Sequence, residues 1–153
     1  MKTAVIISDT HKNFRALDKL LPIMLENDLV IHLGDHESDI LSYRKELSNK
    51  IISVKGNCDG DGEERVLDID GVRILIAHGD RYGVKSSLLN LSFRAKELGV
   101  KVVFYGHTHQ MSEDIIDGIT FINPGAMTAF GEKSYCYAIF HNGKVTTKLV
   151  TFD

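Results

Sequence analysis

Seven residues of this chain have the chemistry of metal ligands, and they share one peculiarity of position. The apolar run "AVIIS" ends in Asp9-Thr10-His11, "DLVIHLG" in Asp35, "IISVKG" in Asn57-Cys58-Asp59, "VRILIA" in His78-Gly79-Asp80, and "VVFYG" in His107-Thr108-His109. A single histidine after a strand is commonly a turn residue; five apolar runs with the same kind of ending are a pattern. The donor set is oxygen and imidazole without thiolate, which suits Mn²⁺, Fe, Ni²⁺ or Zn²⁺ better than the oxygen-loving Mg²⁺ and Ca²⁺. Seven donors exceed the needs of one ion. Two ions sharing a carboxylate, roughly 3.5–4 Å apart, would use them, and Asp35, alone after its run, is the natural bridge. Residues two apart in extended chain point the same way, about 6.6 Å apart. Asp9 and His11 are thus expected to chelate one ion, and His107 and His109 to reach one ion each. Gly34, Gly56 and Gly106 precede ligands, where a missing Cβ allows close backbone approach.

Such donors converge only if their strands lie side by side. Residues 13–27 carry Phe14, Leu17, Leu20, Leu21, Met24 and Leu25 at helical spacing, with Pro22 expected to kink or split the helix. Residues 37–47 and 84–98 read as further helices, the latter stopped by Gly99. The first half is therefore β-α-β-α-β, with parallel strands and right-handed crossovers. After residue 60, Asp70-Gly71 and Asn142-Gly143 each sit between two apolar runs, the signature of two-residue hairpins and of a second, antiparallel group of strands. The expectation is a compact α/β sandwich of two packed sheets with helices outside. In open α/β sheets, functional groups gather beyond the carboxyl ends of the strands, where all five endings lie.

At 153 residues and 43% hydrophobic, the chain fits a single domain over 1–153 with a sizeable core. A net charge of −3 without a Lys/Arg cluster argues against nucleic acid as a partner and leaves a small charged substrate open. No apolar stretch nears the roughly 20 residues of a membrane helix, and the apolar start is too short for a secretory signal, so no membrane partner and a cytoplasmic location are expected. Cys58 and Cys136 lack CxxC spacing and are expected to stay reduced.

In order, "SDTH", "GD", "GNCD", "AHGD" and "GHTH" resemble the five signature blocks of the calcineurin-like metallophosphoesterases. The short chain and "INPGA" at 122–126 resemble the small bacterial and archaeal phosphodiesterase branch, and the likeness spans residues 8 to 126. It implies a four-layer αββα sandwich of two mixed β-sheets around a binuclear centre. Asp9, His11, Asp35 and His109 would hold the first ion, and Asp35, Asn57, His78 and His107 the second. The cofactors implied are two divalent transition-metal ions, Mn²⁺ foremost, with Ni²⁺, Fe²⁺ or Zn²⁺ as alternatives. A hydroxide bridging them would attack phosphorus in line. The reaction expected is hydrolysis of a small phosphodiester, with a phosphomonoesterase as the nearest alternative. A non-catalytic scaffold like the eukaryotic retromer subunit is a second alternative, but that type loses the first-block histidine, and His11 is present here. Members of the branch are often dimers, so a homodimer is among the expected states.

Two blocks depart from the wider superfamily. Cys58 stands where many members have a histidine that assists the leaving group, and a thiol near pKa 8.5 matches that task less well than an imidazole near 6.5. The departure predicts a need for a good leaving group or for another acid, for which His36 is the candidate; the commoner alternative is that His36 only supports a ligand or lies exposed. Asp80 replaces a second histidine and would either orient a ligand imidazole or serve as a turn residue; Arg81 would meet substrate phosphate or lie on the surface. His32 reads as a packed histidine, His141 as structural, Asn123 as a loop-shaping residue, and the acidic run "DGDGEE" at 59–64 as a solvated loop.

Overall fold

The computed structural model describes residues 1–153. Strand β1, Lys2–Ile7, turns Ala4 and Ile6 to one side and Val5 and Ile7 to the other, and all four are fully buried. A strand buried on both faces reads as a continuous apolar run, which is why "AVII" shows no alternation. Helix α1, Phe14–Glu26, returns the chain to β2, Leu29–His32; two single helical turns, α2 (Ser38–Leu41) and α3 (Arg44–Leu47), lead to β3, Ile51–Ser53. β1, β2 and β3 pair in parallel.

The second sheet is built from β4 (Glu64–Ile69), β5 (Val72–Ala77), β6 (Val102–Phe104), β7 (Ser112–Ile116) and β8 (Ile119–Asn123), in the order β4-β5-β6-β8-β7, with α4 (Leu89–Leu98) between β5 and β6. β9 (Lys133–His141) and β10 (Lys144–Phe152) then return to the first sheet, whose order is β10-β9-β1-β2-β3. Both sheets are mixed. The two mixed sheets implied by the resemblance are present, whereas the grouping of the later strands as antiparallel is corrected in two ways: β5, β6 and β8 are parallel, and the C-terminal hairpin joins the first sheet, antiparallel to β1. The reason lies in β9, which sends Cys136, Ala138 and Phe140 into the space between the sheets and Tyr135 toward the helices. Covering both faces requires a place inside a sheet with helices beyond it.

Three apolar clusters correspond to the three interfaces of four layers. One lies between the sheets, around Ile6, Ile31, Ile76, Phe104 and Phe140; one holds α1, α2 and α3 against the first sheet; one holds α4 against the second. Both predicted hairpins form with positive φ at each turn residue, 45° and 85° at Asp70-Gly71 and 48° and 80° at Asn142-Gly143, as a type I′ turn needs. Asp117-Gly118 joins β7 to β8 in the same way, at 51° and 78°, a hairpin signal that the sequence reading passed over.

The helices differ from expectation at their edges. α1 runs unbroken through Pro22, which lies on its exposed side, where water can satisfy the carbonyl that loses its partner. Leu17, Leu20 and Met24 are buried as predicted, whereas Phe14 and Leu25 are exposed. Residues 37–47 break at Ser42 and Tyr43, and neither turn has a side-chain cap at its start. α4 begins at Leu89 rather than 84, and Gly99 ends it in the left-handed conformation as expected. No helix is long and apolar enough to cross a membrane.

Candidate metal centre

The five polar endings meet along one edge of the sandwich, where the loops after β1, β2, β3, β5 and β6 lie together. Two sets of donor atoms form there, each within 4.8 Å: Asp9, His11, Asp35 and His109 in one, and Asp35, His78 and His107 in the other. Asp35 belongs to both. Its Oδ2 stands 3.3 Å from His78 Nε2 and 3.9 Å from His11 Nε2, so one oxygen faces both sets. Asp9 Oδ1 lies 3.0 Å from His109 Nε2 and 3.8 Å from His11 Nε2, and His78 Nε2 lies 3.2 Å from His107 Nδ1.

The two carboxylates are built alike. In each, one oxygen is anchored and the other faces the imidazoles. Ser8 Oγ donates to Asp9 Oδ2 at 2.5 Å and the His107 N–H adds a bond at 3.2 Å, while the Cys58 N–H donates to Asp35 Oδ1 at 2.9 Å. His78 Nδ1 donates to the Leu33 carbonyl at 2.9 Å, which leaves Nε2 as the lone-pair nitrogen and aims it at the cluster. Asp9 Oδ1 and His11 Nε2 are buried yet have no hydrogen-bond partner; His109 approaches Asp9 Oδ1 without the angle for one. Buried polar atoms without partners cost roughly 1–3 kcal/mol each. A cation between them removes that cost, so the donor set fits a metal.

Backbone geometry adds a second sign of a special site. Asp9, His11, Asp35, His107 and His109 all have positive φ, between 43° and 71°. For residues other than glycine this costs on the order of 1–2 kcal/mol each and persists only where surroundings impose it. Here the Asp9 N–H bonds the Gly34 carbonyl, the Gly106 N–H bonds the His78 carbonyl, and the Met127 N–H bonds the Asp9 carbonyl, tying the loops together. The predicted close approaches occur: a Cβ at Gly56 would stand 2.4 Å from Asp35 Oδ1, and one at Gly106 would stand 2.1 Å from Ser8 Oγ.

The electrostatics follow from this packing. Burial opposes ionisation of Asp35, but the facing His78 ring and the hydrogen bond from the Cys58 N–H outweigh it and hold the carboxyl well below the usual range. Burial likewise works to lower His78, and the facing Asp35 carboxylate with the charge of Asp9 raises it overall, because a protonated ring would turn an Nε2–H toward them. Burial and the neighbouring His78 push His107 down. The Cys58 thiol is pushed up to about 11, by burial first and the Asp35 charge second.

The other predicted residues take definite places. Asn57 is exposed and its amide bonds Cys58 Sγ at 3.9 Å; it follows Gly56, which packs directly against His78. The His36 ring lies 4.9 Å from that of His11, centroid to centroid, at the border of the first set. Asp80 makes no hydrogen bond to a histidine, its orienting role being filled for His78 by Leu33, and Arg81 donates to the Gly62 carbonyl at 2.9 Å. His32 is buried and held neutral, its pKa lowered to about 3 by burial. Its Nδ1 accepts from the Gly34 N–H, and its Nε2 meets Thr10 Oγ1, which donates to Asp39. The packed histidine thus joins the Asp9–His11 loop to the Asp35 loop. Asn123 braces the His107–His109 segment through the Gly106 carbonyl and Thr108 Oγ1. His141 is exposed beside Asp70.

Asp59 was missed. Read as part of a solvated acidic loop, its carboxylate instead accepts the N–H groups of Asp35, His36, Glu37 and Gly56, at 2.8, 2.7, 3.3 and 3.0 Å. It clamps the loop after β2 to the loop after β3. The available signal was its place two residues after Asn57, inside the "GNCD" block.

Residues 1–144 match the model of the calcineurin-like phosphoesterase superfamily domain. Over 127 residues the chain is 39% identical to the probable metallophosphoesterase YsnB of Bacillus subtilis, covering 80% of this chain and 73% of that one. It is 31% identical over 140 residues to phosphodiesterase MJ0936 of Methanocaldococcus jannaschii, with 78% and 81% covered. Among solved structures, wild-type Vps29 of Entamoeba histolytica in complex with Zn²⁺ superimposes with a TM-score of 0.74 at 21% identity, with 99% of each chain covered. That last likeness is one of fold.

Proposed function

The chain belongs to the calcineurin-like phosphoesterase superfamily and is a metal-dependent phosphoester hydrolase; from that premise we propose that it is a phosphodiesterase for small diesters, working at a binuclear centre. The observation that carries the reading is Asp35 Oδ2 facing both imidazole sets from a carboxylate whose other oxygen is tied back. Asp9 Oδ1, His11 Nε2, Asp35 Oδ2 and His109 Nε2 would hold one ion. Asp35 Oδ2, His78 Nε2, His107 Nδ1 and the Asn57 amide would hold the other. When bound, a pair of divalent ions, Mn²⁺ foremost and otherwise Ni²⁺, Fe²⁺ or Zn²⁺, supplies a nucleophile at neutral pH and neutralises charge on the phosphoryl oxygens.

The protein's own residues set orientation and access. His78 and Asp35 are buried, whereas His11 and His109 are partly open to solvent, so the substrate approaches from the His11–His109 side. His36 borders that side and is positioned to assist the leaving oxygen. A thiol that holds its proton as tightly as Cys58 is a poor donor near neutrality. Esters with good leaving groups are therefore the expected substrates.

The test compares bis-p-nitrophenyl phosphate with p-nitrophenyl phosphate on metal-stripped protein, with Mn²⁺, Ni²⁺, Zn²⁺ or Mg²⁺ restored. Diester cleavage that returns with Mn²⁺ and disappears in Asp35→Asn is the expected result. Monoester preference would redirect the reading to a phosphomonoesterase. Two bound ions with no turnover of either ester would favour a non-catalytic scaffold.

A further inference from the structure

The geometry points to a substituent subsite beside the metal centre: a cleft next to His109 that receives an uncharged, planar ester group, aryl or nucleobase-bearing, of the phosphodiester. The inference rests on the functional reading above. The cleft measures about 430 Å³, and its walls include His109, Met111, Ala126, Phe130 and Glu132. One wall is thus a residue of the first donor set, so an occupant is contiguous with a phosphoryl group held at the centre. The volume lies in the range of small-molecule sites.

Its lining states the chemistry. Phe130 is 89% exposed, the most exposed of the large apolar side chains, and Met111 beside the same cleft is also exposed. An aromatic ring at the mouth of a cleft that also presents Met111 offers a flat partner an apolar face. No Lys or Arg lines the cleft, and Glu132 brings a negative charge. A second phosphate on the substrate would find no partner there. The nearby cations line other clefts: Lys85 one of about 380 Å³, which shares Gln110 and Met111 with the first, and Arg15, Lys19 and Lys133 one of about 360 Å³ beside Ala129.

The cleft is built by the fold. Thr128 Oγ1 donates to the Phe130 carbonyl at 2.8 Å, fixing the turn that displays the ring, and Ser134 Oγ donates to the Pro124 carbonyl at 2.7 Å behind it. Gly125 beneath has no room for a Cβ, which would fall 2.0 Å from Ser134 Oγ.

The experiment uses p-nitrophenyl diesters in which the leaving group is constant and the second ester is methyl or phenyl, assayed on Mn²⁺-loaded protein. The phenyl ester is expected to be favoured roughly tenfold in kcat/KM, and Phe130→Ala to shrink that ratio about fivefold through KM, as loss of one aromatic contact would. A second readout needs no turnover: diphenyl phosphate and dimethyl phosphate are titrated into protein loaded with diamagnetic Zn²⁺ while the Met111 methyl resonance is followed by NMR. A shift with diphenyl phosphate alone is expected. Equal rates for the two esters, or equal losses for both in Phe130→Ala, would overturn the subsite, as would a still Met111 methyl. Absence of all hydrolysis with a Met111 shift would sink the hydrolase reading and leave the cleft standing.

Discussion

The two donor sets differ more than their shared bridge suggests. The set around His78 is enclosed: His78 is 1% exposed, its Nδ1 is fixed on the Leu33 carbonyl, and His107 and Asp35 close on its Nε2. The set around His11 is open and carries the orphaned atoms. His11 and His109 reach solvent, and Asp9 Oδ1 and His11 Nε2 lack partners, whereas positive φ is common to both sets, at Asp35 and His107 as well as at Asp9, His11 and His109. Preorganised, paired ligands hold an ion without further adjustment, whereas ligands with orphaned atoms gain most from one. On the proposed reading, the enclosed set keeps its ion and the open set is the one that exchanges and meets substrate.

The largest effect should come from removing what the sets share. Asp35→Asn puts an amide where both sets need a carboxylate. Metal content by plasma mass spectrometry should fall from two ions to fewer than one, and diesterase activity by at least about a thousandfold, since loss of one preorganised electrostatic contact already costs about a hundredfold. Retention of both ions would remove Asp35 from its bridging place and the comparison with it.

Truncating one histidine of each set separates them. His78→Ala opens a buried void and strands the Leu33 carbonyl, a loss of roughly 2–4 kcal/mol that urea denaturation of the metal-free protein would read. His109→Ala lies on the exposed side and should leave that stability within about 0.5 kcal/mol while lowering ion occupancy by one. Equal destabilisation by the two variants would erase the distinction between enclosed and open sets.

Asp59 tests whether the sets are coupled through backbone. Asp59→Asn keeps the shape but presents an amide to N–H groups that two carboxylate oxygens now accept. A residue that acts on ligands from behind typically contributes 10–100-fold in metal affinity. Because the clamped loop carries Asp35, isothermal titration with Mn²⁺ should show both binding steps weakened, roughly tenfold or more. Weakening confined to one step would place Asp59 with that set alone.

Much of this centre was legible in the sequence because the strand-ending pattern is local: Asp9, His11, Asp35, His78, His107 and His109 converge as their positions at strand ends require. The end of α4 at Gly99 and the hairpins at Asp70-Gly71 and Asn142-Gly143 were legible for the same reason. What escaped depends on partners distant in sequence. The placement of β9 beside β1 is decided by Cys136, Ala138 and Phe140 meeting the second sheet. The clamp at Asp59 exists only once two loops lie side by side, and His32 shows its tautomer only beside Thr10 and Gly34. Left-handed backbone at five ligands carries only a weak residue signature, since Asp and His adopt that region more readily than most residues but do not require it.

The smallest effect is expected at Cys58, and its smallness is informative. The contact this residue makes with Asp35 Oδ1 comes from its backbone N–H, and its side chain is exposed beside Asn57. A thiol with its pKa pushed up to about 11 neither ionises nor donates readily near neutrality. Cys58→Ser preserves the N–H and a neutral side chain, and should change turnover of bis-p-nitrophenyl phosphate by less than about threefold. Cys58→Pro removes the one donor that ties back Asp35 Oδ1, and should resemble a mild Asp35 variant, with metal content falling first in the enclosed set. If serine were as damaging as proline, the thiol itself would be part of the chemistry, and the difference between the enclosed and open sets would lose its meaning for the reaction.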